Sequence, residues 1–323
     1  MTRPVAARGL AGATYAMLCV IWGSTWLGIK IGLQGAPPFL AAGLRFALAS
    51  VVLLAAASLL RSRLPRTRAE WALVAYFGIV LFTADYGLIY WGEGSGVESG
   101  LTAILFATLP FQTALFAHVL IRDDRLTAQK IVGVAVGFAG ILLVFRGQLE
   151  SAGLSKFFPM LAIVLAATCA SSATVALKRW GHDTDPVSFN GFSMGVGAVG
   201  LAVVSAATGE RWAVPSWPEG ILAILYLSLI GSVVAFVAYM WLLRQLPVTT
   251  MSYVILVTPI VAVFLGVAVG NEAFDPLALL GAAIALSGIY LSTSKRAATL
   301  ARALAGGRAV RTASAGDMLD PKE

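Results

Sequence analysis

DRLTAQKIVGVAVGFAGILLV (residues 124–144) and EAFDPLALLGAAIALSGIYLS (residues 272–292) stand 148 positions apart and read as two copies of one segment. Each opens on an acid, carries Gly133 or Gly281 at the same place, and closes on Gly140-Ile141 or Gly288-Ile289. Upstream of each acid a proline interrupts an apolar run, Pro110 in the first copy and Pro259 in the second, with one residue of slippage. Lys30 and Lys178, Pro38 and Pro186, and Ser24 and Ser172 also match at 148. A repeat of nearly half the 323-residue chain marks a duplicated unit rather than a short-period solenoid.

The composition says what kind of unit is duplicated. Hydrophobic residues make up 59% of the chain and charged residues 12%, against about 25% charge in ordinary soluble proteins. That is too apolar for a water-facing surface. Ten apolar runs of about bilayer-spanning length follow one another: 10–33, 37–60, 70–91, 99–121, 130–146, 157–178, 187–208, 219–243, 249–270 and 276–293. They read as helices, because a lipid-exposed backbone must satisfy its own hydrogen bonds and the alternating polar pattern of a barrel is missing. The expected organisation is a short cytoplasmic segment over 1–9, one five-helix repeat over 10–146, a second over 157–293, and a basic, polar cytoplasmic tail over 294–323.

Charge orients the bundle. With the N-terminus inside, eighteen of the 23 basic residues fall on cytoplasmic segments, including Arg61, Arg63, Arg66, Arg68, Lys178, Arg179 and Arg244. This is the asymmetry of the positive-inside rule. It accounts for most of the net charge of +7 without a nucleic-acid partner, since the basic residues are scattered over short segments and form no single face. Five spans per half is an odd number, so the second half enters the membrane from the opposite side and the repeats are inverted. Inverted repeats around a midplane site are the build of many secondary transporters; duplicated channels also exist.

Polar residues inside the spans mark candidate sites. Trp22-Gly23-Ser24 falls at the centre of helix one and Ser171-Ser172 at the equivalent centre of helix six. Either these helices face each other across a substrate cavity lined by Trp22, Ser24 and Ser172, or their small residues serve close helix packing. Tyr86 and Tyr239 are further cavity candidates, whereas Trp91 sits where an interfacial anchor belongs. Pro110 and Pro259 are expected to bend helices four and nine. Gly133, Gly137 and Gly140 fit one packing face of helix five, with a contact between halves in view.

Arg45 and Asp85 are charges within spans. Each lies four or five residues outward of its helix centre, so at about 1.5 Å per residue both sit roughly 6–8 Å from the midplane. Their repeat-equivalents are Ser193 and Val234, so scaffold symmetry does not demand them. A charge in hydrocarbon pairs or lines water. Two readings follow: a shared aqueous cavity, with Arg45 holding an anionic group and Asp85 as a proton site, or a static ion pair between helices two and three.

Other spellings carry no site. Gly195-x-Gly197-x-x-Gly200 imitates a dinucleotide fingerprint but lies inside an apolar span with no strand before it. Cys19 and Cys169 read as core filler, and His118 as a satisfied core histidine. No pair of histidines or cysteines has metal-ligand spacing, and no cofactor is expected.

Trp22-Gly23-Ser24-Thr25-Trp26 with Lys30 beyond it, Pro37-Pro38 followed by Arg45-Phe46, the prolines Pro110 and Pro259, and the repeated acid to Gly-Ile ending together resemble the drug/metabolite transporter superfamily, specifically its EamA-type members. The resemblance covers residues 10–293. It implies ten helices, cytoplasmic termini, and export of amino acids, other small metabolites or toxic compounds across an inner membrane. Asp123-Asp124 stands where the family usually has a glutamate, so an acid is kept. No nucleotide-binding motif is present, so the energy of transport would come from a gradient, with protons as the candidate coupling ion. The competing functions are a passive channel, an intramembrane enzyme or a receptor; for the enzyme there is no His-Glu-x-x-His, and for the receptor no sensory domain.

Overall fold

Proline opens two equivalent helices, and their first turns are completed in different ways. The computed structural model describes residues 5–97, 99–122, 127–144, 156–212, 218–258, 261 and 276–293. Helix α2 (Pro38–Leu59) and helix α7 (Pro186–Ala207) each begin with proline at a first-turn position, where its missing N–H costs nothing. In α7 the preceding Asp185 accepts from Val187 N and Ser188 N, both at 3.0 Å. In α2 the preceding residue is Pro37, which has no capping side chain. The distant Glu210 supplies the acceptors instead, taking Phe39 N at 3.0 Å and Leu40 N at 2.9 Å. A carboxylate at each helix start satisfies orphan N–H groups and complements the helix dipole.

The remaining helices are α1 (Val5–Leu33), α3 (Arg68–Gly94), α4 (Ser99–Phe106 and Leu109–Leu120), α5 (Ala128–Val144), α6 (Phe157–Trp180), α8 (Pro218–Leu243), α9 (Val248–Thr258) and α10 (Pro276–Thr293). Among the described residues, α1, α2, α3 and their counterparts α6, α7, α8 are long and apolar enough to cross a membrane, and the other four are shorter. Apolar side chains face outward, with Val51 66% and Val199 66% exposed, as lipid-facing helices require. Thr67 and Glu70 form a capping box at the start of α3. Lys178 Nζ donates to the carbonyls of Leu243 and Leu246 and so closes the C-terminal end of α8.

Pro110 does more than bend its helix. The run expected to be continuous over 99–121 breaks after Phe106 and restarts at Leu109, which places Pro110 in the first turn of the second piece. Pro259, Asp123, Asp124, Glu272 and the 294–323 tail lie outside the described residues.

Two features of α3 and α8 have no counterpart in the expectations above. Gly78–Asp85 and Leu229–Val234 are π-helical, with one extra residue in the turn. The two segments correspond at an offset of 149, and each is held by a hydroxyl reaching back five residues. Thr83 Oγ1 donates to Gly78 O at 3.1 Å, and Ser232 Oγ donates to Leu227 O at 2.9 Å. Such side-chain bonds satisfy the carbonyls that a widened turn strands.

The halves interlock. The most extensive packing pairs α5 with α10 and α2 with α7, and α7 also packs on the π segment of α3 as α2 does on that of α8. Glycine makes the α5–α10 contact possible, because a Cβ built on Gly140 would lie 2.4 Å from Ala285 N and 2.5 Å from Gly281 O. The glycines that imitate a dinucleotide fingerprint are a packing face: a Cβ on Gly197 would stand 2.2 Å from Phe82 Cβ, and one on Gly200 2.3 Å from Thr83 Oγ1. Cys19 and Cys169 are both free thiols. His118 corrects the core reading, since it is exposed near the end of α4.

Candidate functional site

Between the halves, α1, α3, α4, α6, α8 and α9 line a cavity that offers about 80 Å³ to the centres of water-sized molecules, room for several waters or part of a small solute. Its walls combine rings with aliphatic side chains. Trp22 packs against Phe236 at 5.6 Å and Tyr239 at 5.2 Å between centroids, and Trp26 meets Phe106 edge-on at 5.7 Å. Tyr239 OH donates to Thr174 Oγ1 at 3.2 Å, which fixes the phenol at the cavity edge. Trp22 Nε1 is buried without a hydrogen-bond partner.

Asp85 is the charged residue on this lining. It is the last residue of the π segment in α3, and the extra residue in that turn rotates everything after it by about 100° relative to an uninterrupted α-helix. The side chain is 1% exposed, and its Oδ1 has no hydrogen-bond partner.

Arg45, also 1% exposed, lies behind the lining. Its Nε donates to Ser232 Oγ at 2.9 Å and its Nη2 to Gly231 O at 3.3 Å, both in the π segment of α8. The guanidinium carbon sits 5.1 Å from the centroid of Phe46 and 4.8 Å from that of Tyr86, within cation–π range. No hydrogen-bonded ion pair joins it to Asp85: Arg45 Nη1 and Asp85 Oδ1 each lack a partner. Arg45 is not on the cavity surface with Asp85.

Of the residues singled out from sequence, Trp22, Asp85, Tyr86 and Tyr239 meet at the cavity. Ser24 and Ser172 do not. Ser24 Oγ lies 2.5 Å from Tyr226 OH and donates to Ile21 O at 2.7 Å; Ser172 Oγ donates to Cys169 O at 2.8 Å and accepts from the exposed Tyr76 OH at 3.2 Å. The aliphatic hydroxyls on the lining are Thr25, Thr174 and Ser252, with Thr25 and Thr174 related by the same offset of 149 as the π segments. Applying that offset to helices one and six would have found them.

The comparisons agree with this duplicated architecture. The EamA-like transporter family matches residues 10–146 and again residues 157–294. The chain is 34% identical over 289 residues, 88% of its length and 90% of the relative's, to the "Uncharacterized inner membrane transporter YedA" of Escherichia coli (strain K12). It is 26% identical over 278 residues, 85% of its length and 93% of the relative's, to the "Uncharacterized transporter YoaV" of Bacillus subtilis (strain 168). A solved crystal structure shares the fold with a TM-score of 0.75 at 19% identity, covering 88% of this chain and 98% of that one. Each of the two family matches spans one half of the helical bundle, so the chain belongs to the EamA-like transporter family.

Proposed function

We propose that the protein is a secondary active transporter of the inner membrane that exports amino acids, other small metabolites or drug-like compounds by alternating access. The observation that carries this reading is the cavity between the two halves, with a buried carboxylate, Asp85, whose Oδ1 has no protein partner. The odd number of helices per half supports inverted repeats, and inverted halves rocking about a central site expose it to each side in turn. Asp85 is the candidate proton site. The basic cytoplasmic segments support termini on the inner side.

An untargeted comparison of metabolites released by cells with and without the protein identifies the solute, and vesicles reconstituted with the protein then test the mechanism. The expected result is saturable flux with counterflow. Flux that neither saturates nor shows counterflow means a channel, and no flux of any released solute overturns the reading.

Labelling tests access and orientation together. In a background lacking Cys19 and Cys169, Thr174→Cys is expected to react with a water-soluble thiol reagent and to be protected by the transported solute. Ser172→Cys, off the lining, is expected to show no such protection. An impermeant reagent applied to intact cells should reach Ser95→Cys and not Ser62→Cys. Labelling at Ser62→Cys from outside reverses the orientation; a Thr174→Cys thiol that no solute protects removes the cavity from the transport path.

A further inference from the structure

We propose that the cavity selects organic ammonium ions, holding the cationic nitrogen at Asp85 and an apolar, ring-sized body among the aromatic side chains; this rests on the transport reading above. The walls supply Trp22, Trp26, Tyr86, Phe106, Phe236 and Tyr239. Ring faces carry negative potential and attract alkylammonium groups while burying their carbon. Asp85 is the one acidic or basic residue on this lining, and its buried Oδ1 has no hydrogen-bond partner.

The remaining polar side chains on the lining are neutral. Thr25 Oγ1 donates to Trp22 O at 2.8 Å, Ser252 Oγ donates to Thr249 O at 2.7 Å, and Thr174 takes the Tyr239 hydroxyl. The neighbouring cation faces elsewhere: Arg45 donates to Gly231 O and Ser232 Oγ and lies against the Tyr86 ring rather than on the cavity surface. A ligand therefore meets one carboxylate, neutral hydroxyls that include Thr174 Oγ1 and the Tyr86 phenol, and an apolar wall of rings and aliphatic side chains.

That inventory ranks ligands. An amine satisfies Asp85 and leaves no charge of its own unpaired. An amino acid brings the same ammonium with a carboxylate that finds only neutral donors on the lining, and burying a charge without a charged partner is costly. A simple carboxylic acid ionised at neutral pH faces Asp85 itself, a like charge.

Three probes sharing a phenyl ring on a two-carbon chain separate these cases: 2-phenylethylammonium, phenylalanine and 3-phenylpropionate. Binding to the full-length purified protein is read by calorimetry, and flux by counterflow in reconstituted vesicles. The amine is expected to bind about tenfold or more tighter than phenylalanine, and 3-phenylpropionate not to bind, since charge-assisted hydrogen bonds to an ionised partner carry differences of this size. Asp85→Asn should weaken amine binding by about tenfold or more, while Asp85→Glu, which keeps the charge, retains it. Thermal unfolding of the ligand-free variants checks that they are folded; if Asp85→Asn yields no folded protein, the ranking of the three probes on the wild type decides. Preference for phenylalanine or 3-phenylpropionate, or amine binding unchanged in Asp85→Asn, overturns the proposal. Counterflow of other solutes with no preference for the amine also overturns it and leaves the transporter reading standing. Amine binding through Asp85 with no flux of any solute supports the site and counts against transport.

Discussion

Leucine at Gly288 is expected to leave no folded protein recoverable from the membrane. A Cβ at this position would lie 2.3 Å from Gly137 N, 2.5 Å from Gly133 O and 2.6 Å from Gly137 Cα. All three are backbone atoms of α5, so no side-chain rotation relieves the clash, and α10 must move off α5 along its most extensive contact. Overpacking a core costs about 1–3 kcal/mol when side chains can shift, and the cost here exceeds that because a helix pair has to separate. Gly288→Ala already carries the clashing carbon and is expected to be severely destabilised, whereas Gly32→Ala, with nothing within 4 Å of its Cβ, serves as the neutral control. Size-exclusion profiles and thermal unfolding in detergent check both. A Gly288→Leu protein as stable as the control would mean that α5 and α10 are not packed backbone to backbone.

That contact was legible in the sequence, because glycines recurring on one helix face leave little else to propose and the second copy of the segment repeats most of them. The helices were legible for the same kind of reason: apolar runs of spanning length admit few other structures. What one sequence does not display is rotation about a helix axis. The π segments of α3 and α8 turn everything beyond them, yet Thr83 and Ser232 look like ordinary hydroxyls in apolar runs until their bonds to Gly78 O and Leu227 O are known. Depth along the axis was readable for Arg45 and Asp85 from counting residues; direction was not. Arg45 turns to the π turn of α8, while Asp85 turns to the cavity. Ser24 and Ser172 failed for a related reason. An offset of 148 pairs Ser24 with Ser172, whereas the 149 of the proline pair couples Thr25 with Thr174, and one residue of slip is enough to exchange a cavity face for a packing face.

This division of labour between Arg45 and Asp85 makes their substitutions expected to fail in different ways. Arg45→Ala removes two hydrogen bonds from a charged donor, to Gly231 O and Ser232 Oγ, each worth about 1.5–3 kcal/mol. It also strips the cation from the Tyr86 and Phe46 rings. A loss of roughly 3 kcal/mol or more of stability is expected, enough to deplete folded protein in a fold of ordinary stability. Arg45→Lys should fall between, because a single ammonium cannot reproduce a planar fork that reaches both acceptors. Asp85→Asn leaves its oxygen without a lost protein partner, so folded yield should survive while transport falls below detection. The double variant Arg45→Ala/Asp85→Asn then discriminates the two roles, scored for thermal unfolding and for flux in vesicles. It is expected to keep the instability of Arg45→Ala and the missing flux of Asp85→Asn, because the broken bonds to α8 are not restored by neutralising a carboxylate. Where two partners form a static buried pair, removing both is milder than removing one. A double variant as stable as Asp85→Asn alone would therefore show that Arg45 is held in place by Asp85, and would replace the anchoring of the α8 π turn with an ion pair between α2 and α3.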